Sequence, residues 1–295
     1  MDAAELHARL AAIAGGIEDD VPLAALTTLG VGGPAKRLVA PRTQAELGAV
    51  VELLEAHSER FLVLGGGSNL LFSDRGFSGT VIATTALRAW SVETAEVTAE
   101  CGVPLQHLLS DAAVAATGAL DFLVGIPGTI GGATVMNAGI RGASMSDVVA
   151  SVTVLVHGGG REILDGDSCG FRYRGSALAD AGRTVLETTL RLTGRRFDRD
   201  SLSAVRRATQ PVGKRTAGCV FRNPPGMAAG ELIEVAGLKG ARVGDAIVSE
   251  IHGNFIENQG HATSDEIRSL IDIVRRKVYK GFRVLLELEI EVVAG

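Results

Sequence analysis

Two glycine clusters carry the first chemical possibility. Gly65-Gly66-Gly67-Ser68-Asn69 follows the apolar run Phe61-Leu62-Val63-Leu64. Gly125-Ile126-Pro127-Gly128-Thr129-Ile130-Gly131-Gly132 lies in a polar-poor region. With no Cβ in the way, such loops can aim several backbone N–H groups at a phosphate. Either alone reads as a tight turn; two in one chain make a pyrophosphate cradle an even alternative to a pair of turns. Neither has the Gly-x-Gly-x-x-Gly spacing of a Rossmann site, and the chain has no Gly-x-x-x-x-Gly-Lys-Ser/Thr P-loop. Arg172-Tyr173-Arg174 could clamp a carboxylate or phosphate with planar guanidinium donors, or form a strand with alternating exposed arginines. Arg206-Arg207 and Lys214-Arg215 gather positive charge just before Gly218-Cys219-Val220-Phe221-Arg222-Asn223. That suits a diphosphate, or simply a solvated surface helix. Cys219 follows a glycine in a predicted turn. A thiol with an ordinary pKa of about 8.5 gives up a proton far more readily than a serine hydroxyl. A lone cysteine is more often inert and buried. Glu287, Glu289 and Glu291 share one face of a predicted last strand, and spacing does not choose among them.

The elements that must position these residues are partly legible. Thr43-Gln44-Ala45-Glu46 reads as a capping box that opens a helix with a buried stripe of Leu47, Val50, Val51 and Leu54. Residues 61–64 read as a buried strand. A second helix is expected from Pro104, with Leu105, Leu108, Leu109 and Ala112 on one face and a stop at Gly118. Val152 to Val156 reads as a strand, with a turn at glycines 158–160 leading to Arg161-Glu162-Ile163-Leu164. Arg195 to Asp200 is charge-dense and reads as a boundary. Thr263-Ser264-Asp265-Glu266 is another capping box, before a helix with Ile267, Leu270, Ile271, Val274 and Val278 inward. Leu286, Leu288, Ile290 and Val292 alternate with acids, as in a closing strand. Strands and helices in alternation indicate an α+β or α/β chain.

Composition bounds the function. The chain of 295 residues is long enough for two or three domains. A net charge of −5 argues against a general nucleic-acid surface. The start, Met1-Asp2-Ala3-Ala4-Glu5, shows no signal peptide, and nowhere are 18 apolar residues uninterrupted, so no membrane span is expected. Cys101, Cys169 and Cys219 are odd in number and far apart, signalling neither a disulfide framework nor a zinc site. A cytoplasmic location and no metal are therefore expected.

In order and spacing, four stretches resemble the UDP-N-acetylenolpyruvoylglucosamine reductase family. They are 27–35 (TTLGVGGPA), 64–71 (LGGGSNLL), 125–139 (GIPGTIGGATVMNAG) and 217–224 (AGCVFRNP). Also similar are Phe171-Arg172-Tyr173-Arg174, Gln210-Pro211, 236–240 (AGLKG) and 252–256 (HGNFI). The resemblance implies an α+β chain with an FAD-binding fold of the vanillyl-alcohol-oxidase (PCMH) type and an added α+β substrate-binding domain. The implied division is 1–80, completed by 284–295, for the first FAD subdomain, 81–198 for the second, and 199–283 for the substrate. It implies NADPH reducing a flavin, whose N5 then delivers hydride to the methylene carbon of an enolpyruvyl ether. The enolate-like intermediate is protonated at the neighbouring carbon, giving UDP-N-acetylmuramate for peptidoglycan.

Carried over motif by motif, Arg174 takes the role of the cation and Glu289 that of a hydrogen-bonding acid with a raised pKa. Cys219 stands where the family usually has a serine proton donor, a departure that implies sensitivity to oxidation and alkylation. Gly65, Gly66, Gly67, Ser68, Asn69, Gly128, Thr129, Gly131 and Gly132 become FAD contacts. Asn69 occupies the place where some oxidases of this fold carry a histidine bonded to FAD, so non-covalent FAD is expected. Asn223, Arg206 and Lys239 are candidate contacts to a UDP-sugar. The chain has no room between Arg174 and Thr184 for the family's tyrosine loop, and a monomer of the shorter branch is expected. Two alternatives stand beside this: a flavoenzyme of the same fold oxidising a hydroxy acid or alcohol, and a non-catalytic FAD- or sugar-nucleotide-binding protein.

Overall fold

Helix starts follow the capping residues. Thr263 Oγ1 accepts the Glu266 N–H at 3.1 Å and Glu266 Oε2 accepts the Thr263 N–H at 3.0 Å, a complete capping box. It opens the helix Ser264–Phe282, whose stripe of Ile267, Leu270, Ile271, Val274 and Val278 is buried. Thr263→Ala is expected to cost about 1 kcal/mol, read as a lower denaturant midpoint at unchanged slope. At Thr43 the box is only half present. Its hydroxyl accepts from Glu46 N at 3.1 Å, but the Glu46 carboxylate reaches one residue further back, to the Arg42 N–H at 2.7 Å. The helix Gln44–Ala56 buries the expected Leu47, Val50, Val51 and Leu54, and Leu53 besides.

This computed structural model describes residues 3–158, 160–180 and 182–295; Met1, Asp2, Gly159 and Ala181 lie outside them, and with Gly159 so does the middle of the expected 158–160 turn. Among the described residues no helix is long and apolar enough to cross a membrane. The chain falls into two units, each with its own hydrophobic core. The first is Met1–Asp19, Arg37–Gly66 and Gly79–Ala204; the second is Asp20–Lys36, Gly67–Ser78 and Val205–Gly295.

The first unit holds a five-stranded antiparallel sheet in the order Gly160–Asp165, Val149–Val156, Thr184–Arg191, Glu96–Glu100, Trp90–Glu93. The inward positions, among them Val152, Val154, Leu186, Leu190, Val97 and Ala99, are fully buried. The strand Phe61–Leu64 pairs in parallel with Phe77–Ala83, from Phe61↔Thr80 to Leu64↔Ala83, and only Leu64 of the four is fully buried. The helix expected from Pro104 is two helices, Leu105–Ser110 and Ala112–Thr117. Asp111 breaks it: its carboxylate accepts from the N–H groups of Ala113 at 2.9 Å and Val114 at 3.3 Å, recapping the chain mid-run. Gly118 ends the second helix in the left-handed conformation, as expected. The charge-dense stretch that runs into the helix Arg199–Thr209 is bonded within the first unit: Arg196 to the Ala116 carbonyl, and Arg199 to Asp121 at 2.9 Å.

In the second unit the helix Ser264–Phe282 packs on a three-stranded sheet of Arg242–Val243, Ala246–Val248 and Ile256–Asn258. The closing strand is shorter than the alternation predicts. Leu288 bridges to Phe221, the chain bends at Glu289 and Ile290, and only Glu291–Val293 forms a strand, parallel to Leu70–Phe72. The bend shifts the pattern: Val292 is 37% exposed whereas Val293 is buried.

Candidate active site

The first unit brings the two glycine loops into backbone contact. A Cβ on Gly66 would lie 2.7 Å from the Gly128 Cα, and one on Gly65 would lie 2.5 Å from Thr129 Oγ1. Neither position has room for a side chain. The second loop is stitched to the chain after the strand Glu96–Glu100: Leu105 N–H to the Gly128 carbonyl at 3.1 Å, Ile130 N–H to Val103 at 2.9 Å and Gly131 N–H to Cys101 at 2.9 Å. A Cβ on Gly131 would meet the Cys101 Cβ at 2.8 Å, whereas one on Gly132 would meet Thr129 Oγ1 at an ordinary 3.8 Å. Thr129 is 3% exposed, and its hydroxyl has no partner among the described atoms. Buried hydroxyls are nearly always bonded, so this one marks a place for an acceptor. Side-chain-free backbone beside an unmet donor fits a dinucleotide pyrophosphate. Of the first loop's remaining residues, Gly67, Ser68 and Asn69 belong to the second unit. There Asn69 Nδ2 donates to the Glu289 carbonyl at 3.1 Å, and the Asn69 carbonyl accepts from Glu291 N at 2.9 Å.

Arg172-Tyr173-Arg174 is not a strand. Arg172 and Gly175 bond to each other both ways, at 2.9 and 3.2 Å, and Tyr173 and Arg174 form the corner between them. Arg174 holds a φ of +53°, a conformation few non-glycine residues adopt. Its Nη2 donates to the Gly139 carbonyl at 2.9 Å, and its guanidinium lies 5.3 Å from the Tyr173 ring centre. The turn is seated by Asn137, whose Nδ2 donates to the Arg172 carbonyl at 3.0 Å while its Oδ1 accepts from Ser146 N at 2.9 Å. Asn137 itself sits at φ +45° and is 6% exposed. Asn137 was not singled out from sequence; its signal is an asparagine, the side chain that best tolerates the left-handed region, inside the 125–139 motif. Asn137→Ala is expected to cost about 1–3 kcal/mol, since it removes two hydrogen bonds, to the Arg172 carbonyl and from the Ser146 N–H, and leaves alanine in the left-handed region. Thermal unfolding checks this, and Asn137→Gly, which relieves only the strain, should lose less.

In the second unit, Cys219 and Glu289 lie on bonded segments. Val220, next to Cys219, accepts the Glu289 N–H at 2.8 Å, and Cys219 bridges to Phe255 on its other side. Glu289 is half-buried while Glu287 and Glu291 are exposed, so burial separates three acids that spacing could not. Burial also separates the cysteines. It pushes the Cys101 thiol up to about 12 and the Cys169 thiol to about 11, leaving both protonated and inert, whereas Cys219 is half-exposed. Arg174 belongs to the first unit, and Cys219 and Glu289 to the second. Of the candidate substrate contacts, Asn223 Oδ1 accepts from Ala229 N at 2.9 Å, and Arg206 Nη1 donates to Gln210 Oε1 at 3.2 Å. Lys239 pairs with Glu234 at 3.0 Å and holds that carboxyl below its ordinary range.

Comparison with known proteins gives the family and the fold. Residues 35–165 match the model of an FAD binding domain, and 210–293 that of the UDP-N-acetylenolpyruvoylglucosamine reductase C-terminal domain. The UDP-N-acetylenolpyruvoylglucosamine reductase of Moorella thermoacetica is 42% identical over 281 residues, covering 92% of this chain and 91% of the relative. That of Syntrophus aciditrophicus is 38% identical over 293 residues, covering 95% and 93%. The crystal structure of UDP-N-acetylenolpyruvylglucosamine reductase from Thermus caldophilus superposes with a TM-score of 0.78 at 37% identity, covering 94% of this chain and 98% of that one. The fold is thus the α+β, FAD-binding fold of the vanillyl-alcohol-oxidase (PCMH) type expected from the resemblance. On sequence along nearly the whole chain and on fold, the chain belongs to the UDP-N-acetylenolpyruvoylglucosamine reductase family.

Proposed function

We propose that this protein reduces UDP-N-acetylenolpyruvoylglucosamine to UDP-N-acetylmuramate in the cytoplasm, as a step of peptidoglycan synthesis, acting as a monomer with NADPH as reductant. Bound FAD supplies a two-electron relay between NADPH and the enol ether. The observation that carries the reading is a half-exposed thiol, Cys219, beside a half-buried acid, Glu289, on bonded backbone segments.

Each role falls to a residue at the family's motif position. Gly65, Gly66, Gly128, Thr129, Gly131 and Gly132 hold the cofactor pyrophosphate through bare backbone and the Thr129 hydroxyl, and Gly67, Ser68 and Asn69 continue the first loop. Addition of hydride to the methylene carbon moves the C=C electron pair onto the adjacent carbon and the carboxylate. By motif position, the Arg174 guanidinium takes the role of stabilising that charge, and Glu289, as a protonated acid, that of a hydrogen-bond donor. Cys219 Sγ–H gives its proton to the adjacent carbon, and solvent restores the thiol. Asn223, Arg206 and Lys239 contact the UDP-sugar. Asn69 offers no nucleophile for a bond to the flavin, so acid precipitation should release all of it into the supernatant.

Turnover tests the proposal. With NADPH and the enolpyruvyl sugar nucleotide, the expected product carries two added hydrogens. Oxidation of a hydroxy acid or alcohol, with the enolpyruvyl sugar untouched, would favour a different oxidoreductase of this fold.

A further inference from the structure

The residues around Cys219 are held by one buried residue. Asn254 is 3% exposed, and its carbonyl accepts the Val220 N–H at 2.9 Å. Its Oδ1 accepts the Phe221 N–H at 2.9 Å, and its Nδ2 donates to the Phe221 carbonyl at 2.7 Å. Three bonds from Asn254 thus fix the two residues that follow Cys219. The Asn254 N–H, in turn, donates to His252 Nδ1 at 3.1 Å. That bond requires a lone pair on Nδ1, so it exists only with a neutral ring whose proton is on Nε2.

We propose that His252 is a positioning residue for the protonation step: its neutral imidazole holds Asn254, Asn254 holds the segment bearing Cys219, and a proton on Nδ1 releases both. The idea rests on Cys219 being the proton donor. The site around the ring is built for the neutral form. The half-buried ring packs edge-on against Phe255, with centroids 5.0 Å apart, and against Gly230, where a Cβ would lie 2.9 Å from Cε1. Two charged groups face it. Glu234, on the helix Ala229–Val235, favours the charged ring, and Lys239, just beyond that helix, opposes it. Glu234 is itself committed to Lys239 and to the Gly253 N–H at 3.3 Å. Burial, with Lys239 acting in the same direction, outweighs Glu234 and lowers the His252 pKa below its ordinary 6.5. A depressed pKa means the folded protein resists protonation. The clamp is therefore intact above the ordinary imidazole range and lost as pH falls through the native value.

Asparagine at this position provides the test. Its Oδ1 accepts from the N–H two residues on, the Asx-turn geometry, and does not titrate. In the holoenzyme at pH 7.5, His252→Asn should keep kcat within about twofold of wild type, and His252→Leu should lose about tenfold, the scale of one lost hydrogen bond. Between pH 7.5 and 5, wild-type kcat should fall about tenfold and that of His252→Asn by less than about twofold. Bleaching of the flavin by NADPH should be alike in all three at each pH. An acid limb in His252→Asn equal to that of wild type overturns the proposal, even if His252→Leu does not fold. So does wild-type kcat in a folded His252→Leu. Normal turnover of Cys219→Ala would instead overturn the donor assignment and leave the His252 profiles to be read by themselves.

Discussion

Cys219→Ala is expected to accept electrons from NADPH at the wild-type rate and to form product about 10²–10⁴-fold more slowly, the usual contribution of a positioned general acid. The two half-reactions separate because the thiol has work only after hydride has left the flavin. No other cysteine replaces it: Cys101 and Cys169 are buried with thiols held high, in the other unit. Cys219→Ser should restore most of the rate, since a hydroxyl in the same turn offers a proton at nearly the same point. It should also abolish inactivation by iodoacetamide, which the wild-type thiol invites by being half-exposed. Stopped-flow absorbance for flavin reduction and quenched product analysis measure the two halves independently.

Gly66→Ala should yield a protein that folds but carries less than about a tenth of the wild-type flavin. The added methyl would sit 2.7 Å from the Gly128 Cα, so one glycine loop must retreat from the other. Overpacking of this kind costs about 1–3 kcal/mol, within what a domain of this size tolerates. The displaced backbone is, however, the proposed cradle, so the loss falls on cofactor affinity. Flavin-to-protein absorbance ratio and far-ultraviolet dichroism on the same sample distinguish a flavin-free fold from a collapsed one. Gly281→Ala, in the helix Ser264–Phe282, is the control: its methyl would meet nothing within 4 Å, and it should keep the wild-type flavin content and unfold no lower than wild type.

Residue types exposed much of this before any coordinates. Helix stripes and caps were legible because they are local, as at Thr263 and Ser264–Phe282. The glycine loops were legible as candidates, but not their contact, because nothing in either loop states that Gly66 meets Gly128. What failed did so for physical reasons. Asp111 looked like a helix residue in a helical run, yet its carboxylate bonds the two N–H groups that follow and restarts the helix. Arg174 occupies a left-handed turn that arginine composition cannot announce; one bond, from Asn137 to the Arg172 carbonyl 35 residues on, seats it. The alternation of residues 286–292 hid a bend, because Glu289 is tied to Val220 and Asn69 rather than to a strand partner. Choosing Glu289 among three acids needed either burial or the family motif, and the role of Cys219 came from the motif alone.

A single anaerobic turnover is the most direct test of the account. The holoenzyme is reduced with one equivalent of NADPH and then mixed with UDP-N-acetylenolpyruvoylglucosamine in deuterated water. Return of the oxidised flavin spectrum is expected, with one UDP-N-acetylmuramate per flavin bearing a solvent deuteron on the carbon next to the carboxylate. A flavin that stays reduced with the sugar nucleotide but reoxidises promptly when air is admitted would contradict it.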